Sequence, residues 1–263
     1  MNSGGDVAAN LEQLALQLKN ARAKGADLAV LPENFALMSE SRQARLDIAE
    51  TDGAGPLQEQ VASLAAEHGL WIVAGTLPLL SADPLRPYSA CCVYNASGER
   101  VARYDKIHLF DVQVPDAAAT KEVYRESSFT LPGSEPLVVT TDWGNLGVAV
   151  CYDLRFPGLF RQMLASGLDM LAIPAAFTVA TGQAHWELLL RARATENLTY
   201  VVAGAQTGKH PGGRATWGHA MIVDPWGVVL ADVGTVPGAG VAEYDRDKLN
   251  RLRREFPVLK HRR

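Results

Sequence analysis

A cysteine, a glutamate and a lysine carry the chemistry this sequence could do. Cys151 ends the apolar run Leu146-Gly-Val-Ala-Val-Cys151 and is followed by Tyr152-Asp-Leu-Arg-Phe-Pro157, where a helix is predicted to begin. A nucleophile at a tight strand-to-helix junction projects from the sheet edge, with backbone N–H groups of the next turn aimed at the reacting atom. A helix N-terminus also lowers a thiol's pKa, so a raised thiolate fraction is expected. On position alone, the competing reading is a small buried core cysteine. Glu33 stands just beyond a predicted buried strand in Leu31-Pro-Glu-Asn34, the end of a strand at which α/β sheets place ligand groups. Taken singly it reads equally as a loop acid or a helix cap. Lys106 closes Arg103-Tyr-Asp-Lys106 ahead of Ile107-His-Leu-Phe110 and singly reads as a snorkelling surface lysine. The combination says more. A thiol needs a base, and an amide-derived tetrahedral intermediate needs a cation or N–H donors for its oxyanion.

The elements that must position these side chains follow from periodicity. Val7, Leu11, Leu14, Leu18 and Ala21 form one helical stripe over residues 6–24, with Asp6 as N-cap and Gly25 as stop. A buried strand is predicted over 27–31, a helix over 56–68 ending at Gly69, and a strand over 70–76. Two hairpins occupy the middle: 88–94 with 100–104, and 137–141 with 146–151 across Asp142-Trp-Gly-Asn145. Helix 157–166, strand 168–173, helix 184–197 and strand 199–205 come next. A third hairpin, 219–223 with 228–233, turns at Asp224-Pro-Trp-Gly227, and strand 240–244 and a basic helix at 246–255 complete the series. Helix–strand alternation of this kind predicts an α/β layered fold. Without a Pro/Gly/Ser-rich linker, one domain over 1–263 is expected. The stretch 111–128 is the longest without clear periodicity, and such loops are commonly functional.

Composition narrows the partners. With 25 basic and 29 acidic residues the formal net charge is −4, which gives no reason to expect nucleic acid. The C-terminal cluster Arg251, Arg253, Arg254, Lys260, Arg262 and Arg263 lacks interleaved aromatics and reads as a solvated helix face and tail. No apolar run approaches the ~20 residues of a membrane span. Cys91, Cys92 and Cys151 show no metal-ligand spacing and fit thiols kept reduced in a cytoplasm. Cys91 and Cys92, adjacent on a strand, should face opposite sides as packing residues. A Cys–His pair drawn from His108, His185 or His219 lacks any supporting context around Cys151. Trp186, Leu189, Leu190 and Arg193 read as packing or a dimer face rather than a substrate box.

The segment Gly147-Val-Ala-Val-Cys-Tyr-Asp-Leu-Arg-Phe-Pro157 resembles the nucleophile signature of the nitrilase (carbon–nitrogen hydrolase) superfamily. Leu31-Pro-Glu33 is similar to its glutamate motif and Tyr104-Asp-Lys-Ile-His-Leu-Phe110 to its lysine motif, at intervals of that superfamily's kind. Thr181–Ala194, Trp217–Gly227 and Phe256–Arg263 extend the likeness over nearly the whole chain. The segments are most similar to the branch containing the deaminated-glutathione amidases, with omega-amidases as close relatives. The resemblance implies a four-layer αββα sandwich that pairs through helices into a homodimer or higher assembly. It also implies a second glutamate in an E-S context, matched by Glu126 in Tyr124-Arg-Glu-Ser127; Glu122 lacks the serine.

The implied reaction has Glu33 take the thiol proton of Cys151, whose sulfur attacks the carbonyl of a terminal amide. Lys106 and the backbone N–H of Tyr152 meet the oxyanion, and Glu33 returns the proton to departing ammonia. Water activated by Glu33 and oriented by Glu126 then releases the acid from a thioester. Neither a metal nor an organic cofactor is implied. Arg155 or Arg125 is available for a substrate carboxylate, with Phe177 and Thr181 as further candidate contacts. The implied substrate is deaminated glutathione, cleaved to 2-oxoglutarate and cysteinylglycine. A short keto-acid monoamide is the alternative, and a catalytically inactive binding protein on the same fold a remoter one. The resemblance further implies a core strand ahead of the first helix, for which the sequence as it stands leaves no residues: a start assigned too late, or a clipped chain.

Overall fold

Local signals set the helix ends. Asp6 accepts from the Ala9 N–H and caps α1 (Val7–Ala23), which buries Leu14, Leu18 and Ala21. After β1 (Leu28–Val30), Ser41 caps the short α2 (Arg42–Asp47). Proline opens α3 (Pro56–His68) and left-handed Gly69 closes it. The computed structural model describes residues 1–39, 41–115 and 121–262. Arg263 and the centre of the 111–128 stretch thus lie outside the described residues.

Two sheets form the interior. In the first, β4 (Tyr88–Tyr94) pairs along one side with β2 (Trp71–Val73) and then β3 (Leu77–Leu79), and along the other with β5 (Arg100–Asp105). β1 lies parallel to β2 at the sheet's end. β6 (Asp111–Pro115) and β7 (Lys121–Arg125) make a separate antiparallel ribbon. The second sheet begins with β8 (Leu137–Thr141), β9 (Gly144–Val148), β10 (Met170–Ala175) and β11 (Tyr200–Ala205); β9, β10 and β11 are mutually parallel. A small pair, β12 (Thr207–Lys209) and β13 (Ala215–Trp217), follows, and β14 (Met221–Val223) and β15 (Val229–Asp232) complete the sheet. The remaining helices are α4 (Pro157–Leu164), α5 (Val179–Asn197) and α6 (Arg246–Glu255).

Side-chain alternation shows how the layers stack. Ile72, Ala90, Cys92 and Tyr94 join the apolar cluster under α1 and α3. Their neighbours Trp71, Val73, Cys91 and Val93 face the other way, into a cluster with the second sheet, α4 and α5. The result is the four-layer αββα sandwich expected from the sequence. Cys91 and Cys92 do face opposite clusters, and burial pushes both thiols up. Among the described residues no strand precedes α1; Met1 instead accepts at its carbonyl from the Thr207 N–H at 2.9 Å.

Several expected elements are corrected. The strand placed over 70–76 is shorter, Trp71–Val73, and the chain turns at Gly75, which takes φ +51 and where a Cβ would lie 2.1 Å from the Pro32 carbonyl oxygen. The helix expected from 184 starts at Val179, capped by Thr178. Gly182 obscures that start in the sequence, but a side chain there would strike Trp217 at 2.2 Å. The strand expected over 240–244 does not form; Val241 packs beside the α1 cluster and Tyr244 against Tyr200. The basic C-terminal cluster is partly fixed rather than solvated. Arg253 binds Asp169 at 2.7 Å and the carbonyls of Leu168 and Leu198.

Candidate active site

The candidate residues gather at the C-terminal ends of strands. Leu31 continues the β1 ladder to Val73, and Glu33 follows. Lys106 comes directly after β5, its N–H bonded to the Ser89 carbonyl at 3.1 Å. Glu126 opens the short turn after β7, and Cys151 lies just past β9. Lys106 is buried, and its Nζ donates to Glu33 Oε1 at 2.7 Å and to Glu126 Oε1 and Oε2 at 3.0 and 2.9 Å. Phe110 N–H donates to the same Glu126 Oε2 at 2.7 Å, a second bond that fixes that carboxylate. Glu33 and Cys151 are close enough to influence each other's protonation, and Lys106 and the Ala176 backbone also influence that of the sulfur.

Cys151 adopts φ +50 although it is not glycine. Such a left-handed residue is strained and persists only where its surroundings over-determine it. Here they do. The buried Asp153 carboxylate accepts from Val150 N–H at 2.9 Å, from Tyr104 Oη at 2.7 Å and from His108 N–H at 2.9 Å, and pairs with His108 Nδ1 at 2.7 Å. Arg193 Nε donates to the Leu154 carbonyl at 3.0 Å from the α5 side.

The electrostatics correct one expectation. A single 3-10 turn, Cys151–Arg155, starts at the sulfur-bearing residue itself and α4 follows from Pro157, yet neither brings the thiol below its ordinary value. Burial, and then the Glu33 charge, push the Cys151 thiol well up, and Lys106 offsets only part of this. The resting sulfur is therefore a thiol. Burial would raise Glu33 as well, but the Lys106 ammonium and its hydrogen bond, with the thiol, hold it below its ordinary value. Burial disfavours the Lys106 charge, yet Glu126, Glu33 and Cys151 together raise its pKa. An anionic base, a neutral thiol and a fixed cation stand side by side, an arrangement suited to proton-coupled attack on a carbonyl.

A cleft of about 610 Å³ opens over these groups. Tyr152, Arg155, Phe177, Thr181 and Arg125 all line it, so each candidate substrate contact is brought to the same space. Arg155 packs over the rings of Tyr152 and Phe177 at 5.8 and 5.3 Å. The histidines stand apart from the sulfur: His108 stacks on Phe156, His185 meets Arg155, and His219 meets Asp232. Trp186, Leu190 and Arg193 are buried packing residues.

A model of the carbon–nitrogen hydrolase family matches residues 1–254. The chain belongs to that family. It is 41% identical to the deaminated glutathione amidase of Yersinia enterocolitica over 99% of this chain and 90% of that one. It is likewise 41% identical to the Homo sapiens deaminated glutathione amidase, over 98% and 79% of the two chains. Among solved structures, Saccharomyces cerevisiae Nit3, a member of branch 10 of the nitrilase superfamily, superposes with a TM-score of 0.86 at 28% identity, over 100% and 93% of the chains. This carbon–nitrogen hydrolase acts on amide bonds.

Sequence reasoning passed over three residues that this hydrolase brings to the site. Asp153 stands inside the nucleophile segment, and an acid two residues beyond a candidate nucleophile at a strand end could have flagged it. Arg45 sits on α2, a six-residue helix too short to show periodicity. Arg214 lies after Pro211-Gly-Gly213, a loop composition that hides everything but the turn.

Proposed function

We propose that this amidase hydrolyses deaminated glutathione to 2-oxoglutarate and cysteinylglycine, through a thioester on Cys151. One observation carries the reading. The cleft that holds the thiol is lined among the described residues by Arg42, Arg45, Arg125, Arg155 and Arg214, beyond a cluster in which Lys106 is already matched by Glu33 and Glu126. A protein of net charge −4 thus builds a cationic pocket, the complement of a substrate with a carboxylate at each end. The names of the relatives point to the same compound.

Glu33 takes the Cys151 proton as sulfur attacks the amide carbonyl. Lys106 and the Tyr152 N–H meet the oxyanion. Glu33 then gives its proton to the departing nitrogen, which with this substrate is the amine of cysteinylglycine rather than ammonia. Water loses a proton to Glu33, with Glu126 orienting it, adds to the thioester and releases 2-oxoglutarate with the thiol restored. Arg155, Phe177 and Thr181 hold the acyl portion. Residues 1–263 act as one catalytic domain, and the exposed Leu188 on α5 supports pairing of two copies through helix faces. No helix among the described residues is long and apolar enough to cross a membrane, and a cytoplasmic setting suits three free thiols. Turnover of deaminated glutathione and of 2-oxoglutaramate, compared as kcat/KM, tests the reading. A clear preference for the first is expected, and turnover of only the second would make this an omega-amidase.

A further inference from the structure

Arg45 has more donors than the described residues satisfy. It lies in the last turn of α2, with its guanidinium over the Phe129 ring at 5.7 Å. Its Nη1 reaches Asn34 Oδ1 only at 3.5 Å, the limit of a hydrogen bond. Its Nε and Nη2 are shut off from solvent and have no partner among the described residues. These two donors form one edge of the guanidinium, the fork that matches the two oxygens of a carboxylate. Burial lowers the Arg45 pKa, and the nearby Glu126 and Glu33 charges raise it. Both carboxylates are already engaged by Lys106. A partly buried cation with one edge dry and unmet in the lining of a cleft is unfavourable until an anion arrives.

Its place in the cleft indicates which part of a substrate that anion belongs to. The departing nitrogen must come within hydrogen-bonding reach of Glu33 to receive its proton. Arg45 touches Asn34, the next residue along the chain, whereas Arg155 sits beside the rings of Tyr152 and Phe177 on the nucleophile's side. We propose that Arg45 binds, through Nε and Nη2, a carboxylate carried by the amine half of the substrate. It thereby selects amides whose departing amine has an anionic terminus over unsubstituted amides. The inference rests on the proposed role of Glu33 as proton donor to the departing nitrogen, and it adds a specificity residue to that site.

The test uses deaminated glutathione and its C-terminal carboxamide, which differ in that one carboxylate. The native enzyme is expected to prefer the acid by roughly 10- to 100-fold in kcat/KM, the size of one charge-assisted hydrogen-bonded contact, mostly in KM. Arg45→Gln should bring that ratio close to one, and Arg45→Lys should retain part of it. Because a ratio of two substrates cancels the fraction of enzyme folded, partial misfolding of a variant does not disturb it. The same preference in Arg45→Gln as in the native enzyme, or none in the native enzyme, overturns the proposal. Should the native enzyme cleave neither compound, the substrate reading fails by itself. Arg45 is then tested by protection of Cys151 from iodoacetamide: cysteinylglycine should protect better than cysteinylglycinamide, and Arg45→Gln should erase the difference. Equal protection by the two dipeptides overturns it.

Discussion

Around Cys151 each ionic group meets its counter-charge. Lys106 Nζ is divided between Glu33 and Glu126 at 2.7–3.0 Å, and the backbone of Phe110 completes the second carboxylate. On the walls of the same cleft the balance is reversed. Arg45 keeps two donors and Arg214 one donor out of water with no acceptor among the described residues. Matched charges in a dry site hold fixed positions and fixed protonation states, which proton transfer demands. Unmatched donors instead leave binding energy to be realised when a ligand arrives. The inner cluster is thus built for a reaction and the walls for recognition.

The inner cluster should break first and hardest at the sulfur. Cys151→Ala removes the proposed nucleophile and little volume. Release of 2-oxoglutarate should fall by at least about 10⁴-fold, with thermal unfolding near that of the native chain. Unchanged turnover would end the thioester mechanism.

Glu33→Gln comes next and separates two properties that usually travel together. Loss of the base should reduce kcat by about 10²–10⁴-fold. The Glu33 charge is one of the causes that push the thiol up, so its removal should lower the Cys151 pKa. Iodoacetamide should therefore alkylate the variant faster than the native enzyme at the same pH, although turnover is slower. In the native enzyme Glu33 must be ionised and lies below its ordinary value. kcat/KM should hold steady down to about pH 4.3, the usual glutamate range, and fall only below it. An acid limb near neutrality would contradict the ion pair.

How far the sequence foretold this contrast depends on the kind of signal each part leaves. That Glu33, Lys106 and Cys151 stand at strand ends was legible in apolar runs and in Pro32 or Pro157 nearby, whereas their grouping into one site came from the family resemblance. The layered fold was legible from helix–strand alternation, and Cys91 and Cys92 from the two-residue period. The walls were not. Arg45 rides on a helix of fewer than two turns, and the β6–β7 ribbon bearing Tyr124 and Arg125 is too polar to resemble a buried strand. The thiol's raised pKa was invisible as well, because it depends on burial and on Glu33 rather than on the neighbouring helix.

Lys106→Met probes the junction between the two kinds of charge. A buried and a partly buried carboxylate are then left without their cation, and breaking such a pair costs up to about 3–5 kcal/mol at neutral pH. Turnover should fall by roughly 10²–10³-fold as the oxyanion loses its charged donor. The sign of the pH effect distinguishes this from simple damage. In the native chain Glu33 is depressed, so its contribution to stability is present above the unfolded value and lost as pH falls through the folded one. In the variant both Lys106 contributions are gone and burial, the largest cause, raises Glu33 against only the thiol and Arg214, so the deficit should shrink as pH falls from 7 toward 4.3 and a proton neutralises the pair. Urea unfolding at both pH values measures it, and a deficit that stays constant would mean that the carboxylates do not face one another.

Asp153→Asn should have the smallest effect, and it asks whether the turn carrying the sulfur is itself held by matched charge. The native carboxylate meets Val150 N–H, His108 N–H, Tyr104 Oη and His108 Nδ1. Asparagine keeps the size but turns one acceptor into a donor among donors, which costs about 1–3 kcal/mol. If Asp153 served folding alone, the unfolding temperature would drop while kcat per titratable thiol stayed level. As a positioning residue it maintains the left-handed Cys151, and a shift of the sulfur by a fraction of an ångström impairs attack more than binding. kcat per alkylatable Cys151 should then fall by up to about 100-fold with KM little changed. A rise in KM at constant kcat would place Asp153 with the recognising walls rather than with the reacting centre.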